Sequence, residues 1–254
     1  MKRKIYSIRR HEDKEGPNQL ITARGRERII TRGEEVIGPL ISITHSDPEE
    51  FYRSRQTALG WLIGHLGNVT PEQVGSSYLA GNMEPVEAYF KNHPLLKKSD
   101  LLNVWDPAYY PEELTERDDI FDYWLSHDYR VDDKPGVMLL NGANIIKLIV
   151  SGSLGISAEG VEGIVGHASN VDSCLIALLD NGAPWNVPSM RMADIGGSIR
   201  AGEAYQLVVD YRSDIRCSTK EDPQPRIATM QVQYRGETKP ISEDKIYALT
   251  SMVQ

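Results

Sequence analysis

Three short segments of the chain carry residue types that can handle a phosphate group. The first, Ile8-Arg9-Arg10-His11-Glu12-Asp13-Lys14, directly follows a β-prone run, Lys4–Ile8. In open α/β sheets ligands bind just beyond the carboxyl ends of strands, so Arg10 and His11 fall where a site would form. A guanidinium grips two phosphate oxygens in a fork, and a neutral imidazole can attack phosphorus. Alone, an Arg-His pair is more often a solvated loop. The second segment is Tyr52-Arg53-Ser54-Arg55-Gln56-Thr57-Ala58, at the start of a helix. An arginine here points back over the strand ends, beside a helix N-terminus that itself favours anions; otherwise the segment is a charged helix face. The third is Gly163-Ile164-Val165-Gly166-His167-Ala168-Ser169-Asn170. His167 stands at a strand end, where it can bind one phosphate oxygen while backbone N–H groups from Ala168 onward bind another. The plain alternative is a buried, satisfied histidine.

The elements that must position these segments alternate. Strands are expected at Lys4–Ile8, Ile41–Thr44, Ser76–Ala80, Val161–Val165, Tyr205–Tyr211 and Ala228–Tyr234. Helices are expected from Thr22 to about Val36, over Glu50–Leu66, from about Asn170 to Leu179 and over Lys239–Leu249. This order predicts an α/β fold, a three-layer α/β/α sandwich with a mostly parallel central sheet. The aromatic-rich and acidic stretch of about 82–134 reads as a helical and loop cap inserted into a single domain spanning 1–254. The segment Glu221–Arg226 reads as a loop.

Composition narrows the classes. The 254 residues are 40% hydrophobic and 25% charged, typical of a globular domain. A formal net charge of −8 argues against nucleic acid as a partner. Cys174 and Cys217 stand far apart, outside any zinc-like spacing, which suits a reducing compartment. With no apolar signal segment and no membrane-length apolar run, a cytoplasmic protein without membrane association is expected. No metal and no cofactor is called for, and the oligomeric state is open.

In order along the chain, Arg10-His11, Leu20-Ile21-Thr22-Ala23-Arg24-Gly25, Arg53-Ser54-Arg55-Gln56-Thr57-Ala58 and Gly166-His167 resemble the motifs of the histidine phosphatase superfamily, the phosphoglycerate mutase-like proteins. The likeness runs from near residue 4 to about residue 180. It implies that His11 is a nucleophile that becomes phosphorylated. Arg10 and Arg53 would clamp the phosphoryl oxygens and His167 would complete the pocket. Arg53 matches better than Arg55 because the family arginine lies four residues before the threonine, here Thr57. Lys14 is a further phosphate contact in the RHxxK spelling.

The chain also departs from the pattern. Glu12 stands where a small residue is common, and a carboxylate there repels phosphate unless it points away or pairs with Lys14. The stretch His45–Tyr52 is longer and more acidic than usual. The stretch specific to mutases is absent, which favours a phosphatase. Ala168 occupies the place where one branch has its acidic proton donor, leaving Glu84, or else Glu87, as the general acid after the expected third strand. The function expected is hydrolysis of a phosphomonoester or phosphohistidine, from a small molecule or a protein. A phosphomutase and a non-catalytic phosphate-binding protein are the alternatives.

Overall fold

The computed structural model describes residues 2–15, 20–35, 38, 40–42, 52–98, 110–131, 134–151, 161–183, 186–212 and 227–253. Its first strand, β1 (Lys2–Arg10), is followed by a small pair, β2 (Lys14–Glu15) and β3 (Leu20–Ile21), and by helix α1 (Ala23–Thr31). The Thr22 hydroxyl starts α1 by accepting from the Gly25 N–H at 3.0 Å. Strand β4 (Leu40–Ser42), helices α2 (Tyr52–Leu66), α3 (Glu72–Leu79) and α4 (Met83–Phe90), and strand β5 (Leu96–Lys98) come next. Helix α5 (Arg117–His127), the pair β6 (Arg130–Val131) and β7 (Lys134–Pro135), and helix α6 (Val137–Val150) lead to β8 (Val161–Gly166) and α7 (Ala168–Leu179). The chain ends with β9 (Ala204–Tyr211), β10 (Ile227–Tyr234), β11 (Glu237–Ile241) and α8 (Glu243–Ser251).

Seven strands form the main sheet in the order β11-β10-β9-β1-β8-β4-β5. Strand β8 is buried almost throughout, as befits a strand covered on both faces. Its alternation divides the core. Ile164 packs with side chains of α5, α6, α7 and α8, whereas Val165 packs with those of α1, α2, α3 and α4. Helices therefore lie on both faces. The strands β1, β8, β4 and β5 run parallel, but β9, β10 and β11 join by antiparallel pairing. The sheet is mixed rather than mostly parallel. The cause lies after α7: the chain climbs back through a 3-10 turn at Met192–Ile195 to the carboxyl end of β1, so β9 must run downward from there.

Three further expectations are corrected. Ser76–Ala80 is no strand: it falls in α3 and its C-cap, where Val74 and Tyr78, four apart, face the core together. The span assigned to a cap, 82–134, is not a separate insertion, because β5 within it belongs to the main sheet and α4 packs on α2 and α3. The segment Lys239–Leu249 is part strand and part helix, since β11 precedes α8. The expected residues Val36, Thr44, His45–Glu50, Phe51, Trp105, Pro107, Tyr109, Cys217 and Glu221–Arg226 lie outside the described residues. Among the described residues no helix is long and apolar enough to cross a membrane.

Candidate active site

Register brings the two histidines together. Parallel pairing sets Arg10 of β1 opposite Gly166 of β8, so the next residues, His11 and His167, leave the sheet side by side. The His11 N–H donates to the Gly166 carbonyl at 3.0 Å. The two rings meet edge-on with centroids 4.4 Å apart and planes at 61°. Arg10, His11 and His167 are all buried. His167 is the N-cap of α7 without capping it through its side chain. Ala168 opens α7, whose first N–H groups lie outside the helical ladder.

The protonation of His11 is fixed by its surroundings. Its Nδ1 lies 2.7 Å from the Glu12 carbonyl oxygen, which can only accept, so Nδ1 carries the proton. Nε2 is left with its lone pair. Burial, and then the positive charge of Arg53, push the His11 imidazole down to about 3. His11 is therefore neutral at ordinary pH, the state a nucleophile needs. The unfolded chain takes up this proton first, near 6.5, so the stability contributed is present above that pH and is lost as pH falls toward 3. A proton-NMR titration is expected to show no shift of the His11 ring resonance between roughly pH 5 and 8, where an ordinary histidine titrates. A midpoint near 6.5 would mean that the ring is solvated and not held as described.

Arg10 and Arg53 supply the charge. The Arg10 Nη1 donates to the Ile199 carbonyl at 3.0 Å, and Nη2 lies 3.7 Å from Asp13. Arg53, half-buried in the first turn of α2, is near enough to bias His11. The Nε atoms of both arginines are buried and have no hydrogen-bond partner among the described residues. A buried guanidinium with donors to spare is suited to an anion that offers several oxygens.

Glu12 does not face this pocket. Its carboxylate is fully buried and is gripped by Arg28, with Nε at 2.9 Å from one oxygen and Nη2 on the other. Its backbone N–H donates to Thr57 Oγ1 at 3.1 Å. Gly202, at φ 68°, must be glycine on two counts: that backbone is left-handed, and a Cβ would strike the Glu12 carboxylate. The described partner of the Glu12 carboxylate is thus Arg28. Lys14 is the first residue of β2, and its side chain lies outside the described part.

The chain matches no protein-family model and no curated protein. The reading of this site accordingly rests on its own geometry and on the sequence motifs.

Glu84 and Glu87 are not brought to the pocket in the same way. Glu84 is exposed in the first turn of α4, and the strand that recommended it is a helix. Glu87 is bound by Arg55 at 2.7–2.8 Å, which accounts for Arg55 as a tie between α2 and α4. Neither has a described contact with Arg10, His11, Arg53 or His167. The Glu84→Gln variant is expected to turn over an alkyl phosphate within about threefold of the parent, the scale of a surface change. A loss of about 10²–10⁴-fold confined to poor leaving groups would restore Glu84 as the proton donor.

Sequence reasoning missed four neighbours of the pocket. Arg28 had a signal, since its spacing from Thr22 puts it in a helix packed beside the Arg-His loop. Arg117, Asp172 and Ile199 had none, because they meet only in the fold. The Asp172 carboxyl is fully buried and accepts the Ile199 N–H at 2.6 Å. The Ile199 carbonyl in turn accepts from Arg10 and, at 3.2 Å, from Arg117. Burial pushes Asp172 up to about 7.

Proposed function

We propose that the chain is a phosphatase that hydrolyses a phosphomonoester or phosphohistidine through a covalent phosphohistidine on His11. The observation that carries the reading is the neutral His11 ring, held by the Glu12 carbonyl with Nε2 unprotonated beside Arg10, Arg53 and His167. The likeness of the Arg10-His11, Arg53–Ala58 and Gly166-His167 motifs to the histidine phosphatase superfamily supports the same conclusion.

In the first step Nε2 attacks phosphorus in line and the ester P–O bond breaks. The leaving oxygen departs with a proton from a general acid. Arg10, Arg53 and His167 bear the charge that spreads over the equatorial oxygens, and the α7 N-terminus at Ala168 adds N–H donors. In the second step water attacks the phosphohistidine, the P–N bond breaks and inorganic phosphate leaves. Glu12, neutralised by Arg28, does not oppose binding of the dianion. The free, buried thiol of Cys174 fits the cytoplasmic setting that goes with this reading.

The test is to quench turnover in base and look for phosphate bound to the protein through an acid-labile, base-stable bond. Its assignment to His11 by peptide mass spectrometry is the expected result. Phosphate that binds without such an adduct would favour a non-catalytic phosphate-binding protein. An adduct that passes its phosphate to an acceptor alcohol in place of water would favour a phosphomutase.

A further inference from the structure

The geometry points to a second anion site beside the reactive pocket, formed by Arg117 and Arg200, so that the substrate is a phosphate ester carrying a second phosphate. This inference rests on the phosphatase reading above and names its substrate class. A cleft of about 350 Å³ shares Arg10, the residue before His11, with the reactive pocket, and is lined also by Asp13, Arg28, Arg117, Ser198 and Arg200. Four arginines face one carboxylate there, on a chain whose net charge is −8. Such a concentration of one sign is a local feature that global charge does not produce.

The four arginines are not equally engaged. Arg28 is spent on Glu12, and Arg10 on the reacting phosphate and Asp13. Arg117 and Arg200 remain. Arg117 is the first residue of α5, where the helix dipole disfavours a cation, so its place there is not explained by helix stability. Its Nη2 donates to the Ile199 carbonyl at 3.2 Å, its guanidinium is 4.0 Å from Asp172, too far for a hydrogen bond, and its Nε is buried without a partner among the described residues. Asp172 and Asp118 lie near it, but burial pushes the Asp172 carboxyl up to about 7, so its charge is incomplete near neutral pH. Arg200 is exposed and its side chain has no described hydrogen-bond partner; its backbone N–H donates to the Glu203 carboxylate at 2.8 Å and its carbonyl accepts from the Glu203 N–H at 2.9 Å.

The loop that carries Arg200 is held in place. Gly202 donates its N–H to the Arg10 carbonyl, and the Gly202 carbonyl accepts from Arg9 and Arg32. Ser198 N–H donates to Asp118 of α5 at 2.9 Å, tying this loop to the helix of Arg117. With the backbone of this loop fixed, binding a second phosphate has to order the Arg200 side chain but not the loop.

The test measures binding of inorganic phosphate and of ethylene glycol bisphosphate by calorimetry at fixed ionic strength. The parent is expected to bind the bisphosphate about tenfold or more tightly than phosphate, the effect of one added charge-assisted contact. Arg200→Gln and Arg117→Gln should each bring that ratio toward one. Arg212→Gln, which removes an equal charge at the far end of β9, should leave the ratio as it was. Arg200 is exposed, so its variant reads binding even if the Arg117 variant folds poorly. A ratio near one in the parent, or a ratio that survives in Arg200→Gln, overturns the second site. If inorganic phosphate binds and Arg53→Ala abolishes that binding while the ratio is near one, the second site alone falls. If neither anion binds, the phosphatase reading falls with it.

Discussion

The His11→Ala variant is expected to release no phosphate above background from p-nitrophenyl phosphate, a loss of about 10⁴–10⁶-fold. No neighbour can take over. Among the described residues His167 is the nearest imidazole, 4.4 Å away between ring centroids, but it stands at the start of α7 on the side where the phosphoryl oxygens would lie. Removing the ring leaves a small cavity beside His167, and the Nδ1 bond to Glu12 O is lost. Those losses amount to about 1–3 kcal/mol, survivable for a domain of this size. Circular dichroism and a denaturant midpoint should therefore show a folded protein. Turnover within tenfold of the parent in a folded His11→Ala protein would sink the mechanism. Loss of both turnover and fold would leave the matter to the base-stable adduct, which His11 must carry.

The second large effect is expected from Arg28→Ala, which strikes stability and binding together. Glu12 is fully buried, wedged between Gly25 and Gly202, and Arg28 is the cation on its carboxylate. Breaking a buried pair by removing one partner leaves an uncompensated charge, typically 3–5 kcal/mol. Arg28 is 40% exposed, so water screens part of this and about 2–3 kcal/mol is expected. The bare carboxylate also sits one residue from the nucleophile. A unit charge near a phosphate at partly exposed range weakens its binding about tenfold or more. KM should rise and the unfolding midpoint should fall in the same protein. Adding Glu12→Gln removes the stranded charge, so the double variant should recover most of both. If the double variant is no better than Arg28→Ala alone, Arg28 acts by packing and the account of Glu12 is wrong.

Much of the site was legible because it is local to strand ends. Arg10-His11 and Gly166-His167 each follow an apolar β run directly, and parallel pairing of neighbouring strands then forces the histidines together. Arg53 was preferred to Arg55 on the resemblance to the family motif, in which the arginine lies four residues before the threonine, and both residues fall within α2. The misreadings also have physical causes. The run Ser76–Ala80 is short and apolar, and such runs do not by themselves distinguish strand from helix. The helical spacing of Val74 and Tyr78 was the better signal. The hairpin of β10 and β11 was missed although Arg235-Gly236 marked it. Both residues have positive φ, 48° and 84°, the two-residue turn whose twist suits a hairpin. The grip of Arg28 on Glu12, and the chain from Asp172 through Ile199 to Arg10, join residues far apart in sequence, and no local pattern encodes them.

Strand β1 has a parallel neighbour on one side and an antiparallel one on the other, and this divides the labour of evolution. The wall that carries His11 and His167, the proposed reactive one, is made where β1 and β8 end, welded to the core through both strands and through α7. The opposite wall is the turn by which the chain enters β9, anchored at Ser198 and Gly202 but presenting Arg200 outward. Mutations in that entering turn can redirect which molecules are admitted while the reactive strand ends stay untouched. A directed-evolution library confined to Arg200 and Ala201 would thus sample new selectivities on the proposed chemistry, a modular arrangement that a purely parallel sheet would not have provided at this position.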